Sequence, residues 1–77
     1  MRILLLEDDS KLGPWLKSNL TKMGNVTDLF SDGIQAELAI RKINYEILII
    51  DRMIPGIDGL SLVKKIRNDG NNTPVIF

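Results

Sequence analysis

Three acidic residues stand where apolar runs stop: Glu7 and Asp8 follow Ile3-Leu4-Leu5-Leu6, and Asp51 follows Ile47-Leu48-Ile49-Ile50. Short uninterrupted apolar runs suit strands buried on both faces of a sheet. In an open parallel sheet, ligands bind outside the C-terminal ends of the strands. If these two strands are neighbours, the three carboxylates converge at one end of the sheet. Like charges a few ångströms apart repel and lose hydration, so packing gives no reason to gather them. A hard divalent cation resolves the conflict, and Mg²⁺ favours carboxylates, carbonyls and retained waters. A single Asp ending a strand is ordinarily a turn former or cap. Two acidic clusters, each ending an apolar run, point instead to a metal or phosphoryl site. Asp9, beside the first pair, or Ser10 after it can cap the helix that follows, and capping is the favoured task for Asp9.

Other chemistry is excluded by composition. The chain of 77 residues has no cysteine and no histidine. Disulfides, thiolate or imidazole zinc sites, and Ser-His or Cys-His catalytic pairs all fall away. Ten basic residues balance ten acidic ones, which gives no support for direct nucleic-acid contact. The apolar run at the start is far shorter than the ~7–15 residues of a secretory signal, and nothing approaches the ~20 of a membrane span. The expectation is a soluble, cytoplasmic protein of at most one domain.

The elements that would hold the acids can be read in order. After the first strand, apolar residues Leu12, Leu16, Leu20 and Met23 recur at helical spacing, with Pro14 tolerable in the first turn and Gly24 a stop. Trp15 lies on the border of that stripe, where core packing is favoured over a binding surface. Val26 to Phe30 reads as a strand, at an edge because Thr27 and Asp28 interrupt it. Ser31-Asp32-Gly33 forms a turn and caps a helix over about Ile34 to Ile43. Ala36, Ala39, Ile40 and Ile43 share one side of it, and Ile34 and Leu38 the other. The strand Ile47 to Ile50 ends at Asp51; a loop with Pro55-Gly56 and Asp58-Gly59 leads to a helix carrying Leu62, Val63 and Ile66. Asp69-Gly70-Asn71-Asn72 is turn-forming, and Pro74 to Phe77 begins a fourth strand. The alternating β-α order implies a parallel sheet with right-handed crossovers.

The segments Ile3-Leu4-Leu5-Leu6-Glu7-Asp8-Asp9, Ser31-Asp32-Gly33 and Asp51-Arg52-Met53-Ile54-Pro55-Gly56-Ile57-Asp58-Gly59 together resemble bacterial response-regulator receiver domains. The variant is that of OmpR-type transcriptional regulators, with Glu-Asp after the first strand. The resemblance runs from Arg2 to Phe77. It implies an α/β, flavodoxin-like (CheY-like), doubly wound parallel sheet of strand order 2-1-3-4. It implies that Asp51 is the phosphoacceptor, taking a phosphoryl group from a sensor histidine kinase. Asp8 would coordinate Mg²⁺, Glu7 would assist through a water, and Asp51 and the backbone carbonyl of Met53 would supply further oxygens. Pro55 and Gly59 would shape the loop. Arg52 would be a solvated charge pointing away from Asp51. Such a protein is a phosphoacceptor rather than an enzyme, and normally controls a DNA-binding output domain.

Receiver domains share two more functional residues, a Thr or Ser just after the fourth strand and a Lys after the fifth. Phe77 stands short of both. The expectation is therefore that residues 1–77 form the N-terminal part of a single receiver domain, lacking the fourth helix, fifth strand and fifth helix. Its own phosphorylation and dephosphorylation chemistry would be impaired. An open fourth strand and uncovered apolar surface would favour self-association, with Ile34 and Leu38 as a second contact surface. An alternative is a phosphorylation-independent interaction or dimerising module. A mononucleotide-binding protein is disfavoured, because the loop after the first strand is acidic where a phosphate cradle wants Gly, Ser or Thr.

Overall fold

Among the described residues, four parallel strands alternate with three helices along the chain. The computed structural model describes residues 1–52, 54 and 56–77. The elements are β1 (Arg2–Leu6), α1 (Leu12–Lys22), β2 (Val26–Phe30), α2 (Gly33–Lys42), β3 (Ile47–Ile50), α3 (Gly59–Asn68) and β4 (Val75–Ile76). The strands hydrogen-bond in the order β2-β1-β3-β4, as expected, with β2 at one edge. Arg2 pairs with Val26 on one side of β1, and Ile3 pairs with Ile47 on the other.

The apolar runs form central strands because both faces of β1 are covered. Leu4 and Leu6, with Leu48 and Ile50 of β3, face Ala36 and Ile40 of α2 and Leu62 and Ile66 of α3. Ile3 and Leu5 point the other way, towards the α1 side, and are 2% and 1% exposed. Each large aliphatic side chain removed from water contributes about 1.5–3 kcal/mol. An exposed network of Arg41 with Glu37 and Asp69, and of Lys65 with Glu37, also ties α2 to α3. Ion pairs this exposed add about 0–1 kcal/mol each, so the apolar contacts dominate.

Helix ends follow local chemistry. Asp9 Oδ1 accepts from the backbone N–H groups of Lys11 and Leu12, both at 2.8 Å, so Asp9 rather than Ser10 caps the entry to α1. Asp32 is the N-cap of α2 and accepts from Ile34 N–H at 2.6 Å. Beyond α1, Gly24 takes a φ of +93°, a conformation that ends a helix at little cost only for glycine.

Helix α1 departs from the expected stripe. Leu16 and Leu20 are half-buried, but Leu12 and Met23 are exposed, and Trp15 is 62% exposed rather than packed in the core. The reason is where the helix sits. Gly13 lies against Leu29 of β2, so the buried arc runs through Gly13, Leu16 and Leu20. Trp15 is turned about 130° from its centre, at roughly 100° per residue. On α2, Ala36 and Ile40 are buried while Ile34 and Leu38 are exposed, as their spacing predicts.

Candidate functional site

The chain runs outward from β1 to β2, returns past β1 to β3, and continues to β4. The reversal lies between β1 and β3, which makes their C-terminal ends the switch point of the sheet, where open α/β folds open a crevice. Backbone ladder bonds carry the geometry just past the strands. Asp51 N–H donates to the Leu6 carbonyl at 2.9 Å, and Glu7 N–H donates to the Phe30 carbonyl at 2.9 Å. Both acids are thereby fixed to a buried apolar frame, one strand spacing of about 4.8 Å apart.

The structure brings Glu7, Asp8 and Asp51 together: each offers a carboxylate oxygen, and these oxygens lie within 4.8 Å of one another. Glu7 and Asp51 are half-buried and Asp8 is exposed. Glu7 Oε2 accepts from the Asp9 backbone N–H at 3.1 Å, which orients that carboxylate. A depression of about 390 Å³ adjoins the cluster, bounded by Glu7, Asp8, Ser10, Pro14 and Ser31. Asp9 stands apart in its chemistry. The backbone N–H groups of Leu12 and then Lys11 hold its carboxyl below the usual carboxylate value, because they stabilise the charged form. It serves the helix, as its position implied.

The donor set fits a hard divalent cation. It consists only of carboxylate oxygens, it gathers three negative charges, and its open side leaves room for retained waters. Met53, whose backbone carbonyl the sequence resemblance adds to this set, lies outside the described residues, as does Pro55.

Gly59 differs from its expected role, and Arg52 makes a contact that the sequence does not signal. Gly59 is the first residue of α3, not a loop-turn residue, and its backbone has no positive φ. Its constraint is space: a Cβ there would come within 3.0 Å of the Asp51 carbonyl oxygen, Arg52 Cα and Ile50 Cγ2. Glycine lets α3 start directly against the backbone of Asp51, and Gly59 N–H donates to the Arg52 carbonyl at 3.1 Å. Spacing alone signals a glycine but not which of these needs it meets. Arg52 is exposed, as expected, and its guanidinium lies over the Phe77 ring at 5.3 Å from the centroid.

Known proteins share this fold. The response regulator receiver domain family matches residues 3–77. The transcriptional regulatory protein QseB of Escherichia coli O157:H7 is 40% identical over 77 residues, covering 100% of this chain and 35% of that protein. The receiver domain of the Francisella response regulator 1452 superposes with a TM-score of 0.93 at 36% identity, over 96% of this chain and 61% of that one. The response regulator TrrA of Thermotoga maritima, solved in complex with Mg²⁺-BeF, superposes with a TM-score of 0.90 at 30% identity, over 99% of this chain and 66% of that one. The chain spans about a third of the length of the curated relatives it matches. A family match across nearly the whole chain, on a sheet of the expected order, settles its membership: it belongs to the response regulator receiver domain family.

Proposed function

We propose that this chain is a Mg²⁺-dependent phosphoacceptor module that receives a phosphoryl group on Asp51 from a phosphohistidine of a sensor histidine kinase. The observation that carries this reading is the convergence of Glu7, Asp8 and Asp51, whose oxygens lie within 4.8 Å of one another at the switch point. Receiver domains work with histidine kinases, and the TrrA receiver was solved with Mg²⁺ and a beryllofluoride group. In the transfer, a carboxylate oxygen of Asp51 attacks phosphorus; the O–P bond forms as the P–N bond breaks, and the imidazole leaves with the electron pair. Asp51 is held for this role by its backbone bond to Leu6. Asp8 and Glu7 are the proposed cation ligands, Asp8 directly and Glu7 through a water, with Met53 adding its carbonyl. Bound Mg²⁺ would offset the negative charge on the transferring group, so the reaction depends largely on positioning and electrostatics.

For the whole protein, we read a cytoplasmic transcriptional regulator whose DNA contact is made outside this chain; among the described residues no helix is long and apolar enough to cross a membrane. The second reading, a phosphorylation-independent interaction module that can self-associate, draws on exposed Ile34, Leu38, Ile76 and Phe77. Beryllofluoride titration separates the two. Saturable binding that requires Mg²⁺ and disappears in Asp51→Asn is the expected result. A wild-type chain that ignores the mimic at any Mg²⁺ concentration supports the interaction module.

A further inference from the structure

The acidic segment after β1 is pinned on both sides of Asp8. On one side, Glu7 N–H donates to the Phe30 carbonyl at 2.9 Å. On the other, Asp9 is bound into the entry of α1. Its Oδ1 accepts from the N–H groups of Lys11 and Leu12, both at 2.8 Å, and its carbonyl accepts from Gly13 N–H at 3.0 Å. The same first turn leans on Glu7: a Cβ on Gly13 would stand 3.4 Å from the Glu7 carbonyl oxygen. Held in this way, Asp9 donates its own N–H to Glu7 Oε2 at 3.1 Å. Glu7 belongs to the carboxylate cluster, so the contact runs directly from the helix cap into the site.

That bond bears on which ion fits. Ca²⁺ takes about 6–8 oxygens and readily accepts both oxygens of one carboxylate, whereas Mg²⁺ demands a near-ideal octahedron and keeps several waters. Chelation by both Glu7 oxygens would turn Oε2 towards the ion and away from the Asp9 N–H, at the cost of that bond. We propose that Asp9 is a positioning residue that sets the choice of cation: its capped conformation holds Glu7 to one-oxygen or water-mediated contact, which favours Mg²⁺ over Ca²⁺. This rests on the cation-binding reading above. The Asp9 carboxylate is no ligand in this scheme, because it is turned to the N–H groups of α1; it sets the preference through Glu7.

The test is competition for bound Mn²⁺, read by electron paramagnetic resonance on the full chain, with thermal melting recorded alongside. Mg²⁺ is expected to displace Mn²⁺ from wild type at a lower concentration than Ca²⁺ does. Asp9→Ala removes the cap and is expected to shift the Mg²⁺-to-Ca²⁺ ratio about tenfold towards Ca²⁺. That is the low end of the effects of residues that orient metal ligands. Asp9→Asn removes the same charge but keeps a capping oxygen. It should weaken both cations alike and leave their ratio as in wild type. Ala39→Gly, in α2 and away from the site, should lower the melting temperature and leave the ratio unchanged. The proposal is overturned if Asp9→Ala keeps the wild-type ratio, if Asp9→Asn shifts it as far, or if Ala39→Gly shifts it too. Should Asp9→Ala not fold, Asp9→Gly decides, since glycine is tolerated at a helix cap and offers no side-chain oxygen: an unchanged ratio overturns the proposal. A wild-type chain that binds Mn²⁺ but yields to Ca²⁺ as readily as to Mg²⁺ also overturns it and leaves the cation site standing. A wild-type chain that binds no Mn²⁺ sinks the cation site as well, which separates the two failures.

Discussion

At the scale of the residue, the site is a local conflict held in place by a stable frame. Two carboxylates up to 4.8 Å apart repel by about 1 kcal/mol even at the dielectric of water, and salt screens part of this. Asp8 is the member of the cluster most open to solvent. Changing it to Asn keeps the shape and removes one charge. In EDTA and low salt, Asp8→Asn is therefore expected to be more stable than wild type by up to about 1 kcal/mol. With Mg²⁺ in excess the order should reverse, because a ligand at 100 times its Kd stabilises by about 2.7 kcal/mol, and the variant has lost a proposed ligand. Thermal melts with and without Mg²⁺ would show the crossing. A variant less stable than wild type in EDTA would mean that Asp8 serves the fold rather than an ion.

Between elements, a second polar cluster at the opposite end of the sheet joins β1, β2 and the segment that leads from α2 into β3. The Tyr45 hydroxyl donates to Asp28 Oδ2 at 2.7 Å, the Arg2 guanidinium donates to the same oxygen at 3.1 Å, and it also lies over the Tyr45 ring. The Tyr45 bond, with help from Arg2 and against desolvation, holds the Asp28 carboxyl below its ordinary value. Burial, and then the Asp28 bond, pushes the Tyr45 phenol above its usual value of 10.0. The two signs differ. A lowered carboxyl stabilises above its unfolded pKa, and that contribution is lost as pH falls below about 4. A raised phenol stabilises below about pH 10 and is lost above it. Tyr45→Phe is expected to cost about 1–2 kcal/mol near neutral pH and to make both flanks of the stability profile shallower, as urea unfolding across pH would record. Unchanged flanks would rule the bond out as their cause. This cluster marks the boundary of what the sequence reveals. Asp28 reads there as a polar interruption that puts β2 at an edge, and it is at an edge. Its tie to Tyr45 depends on the registers β1 keeps with strands on both sides of it, which no spacing encodes. The carboxylate cluster was legible for the opposite reason: each acid directly follows a strand whose burial shows in its own composition. Trp15 misled because an apolar residue at the rim of a stripe gains or loses burial with a small turn of the helix.

Across the whole molecule, the two faces of the sheet are covered unequally. On the α2 and α3 side, Leu4, Leu6, Leu48 and Ile50 are all 0–1% exposed. On the other side α1 lies over β2 and β1; there Ile3 and Leu5 are buried, but Ile47 and Ile49 of β3 are only half-buried and Ile76 of β4 is 52% exposed. Stability should be graded in the same way, because segments with few buried contacts open at lower free energy than the core. Hydrogen exchange is expected to be slowest at the amides of β1 and β3, which pair on both sides, and faster in α1. It should be fastest in β4, where Val75 and Ile76 pair only with β3 among the described residues. The exposed Trp15 and Met23 belong to the less protected side. Protection in α1 equal to that of β1 would contradict this gradient. Repeating the measurement over a range of protein concentrations separates the remaining cause: protection of α1 and β4 that rises with concentration means a second copy covers the α1 side, whereas protection independent of concentration means the bare fold is more uniform than its buried contacts indicate.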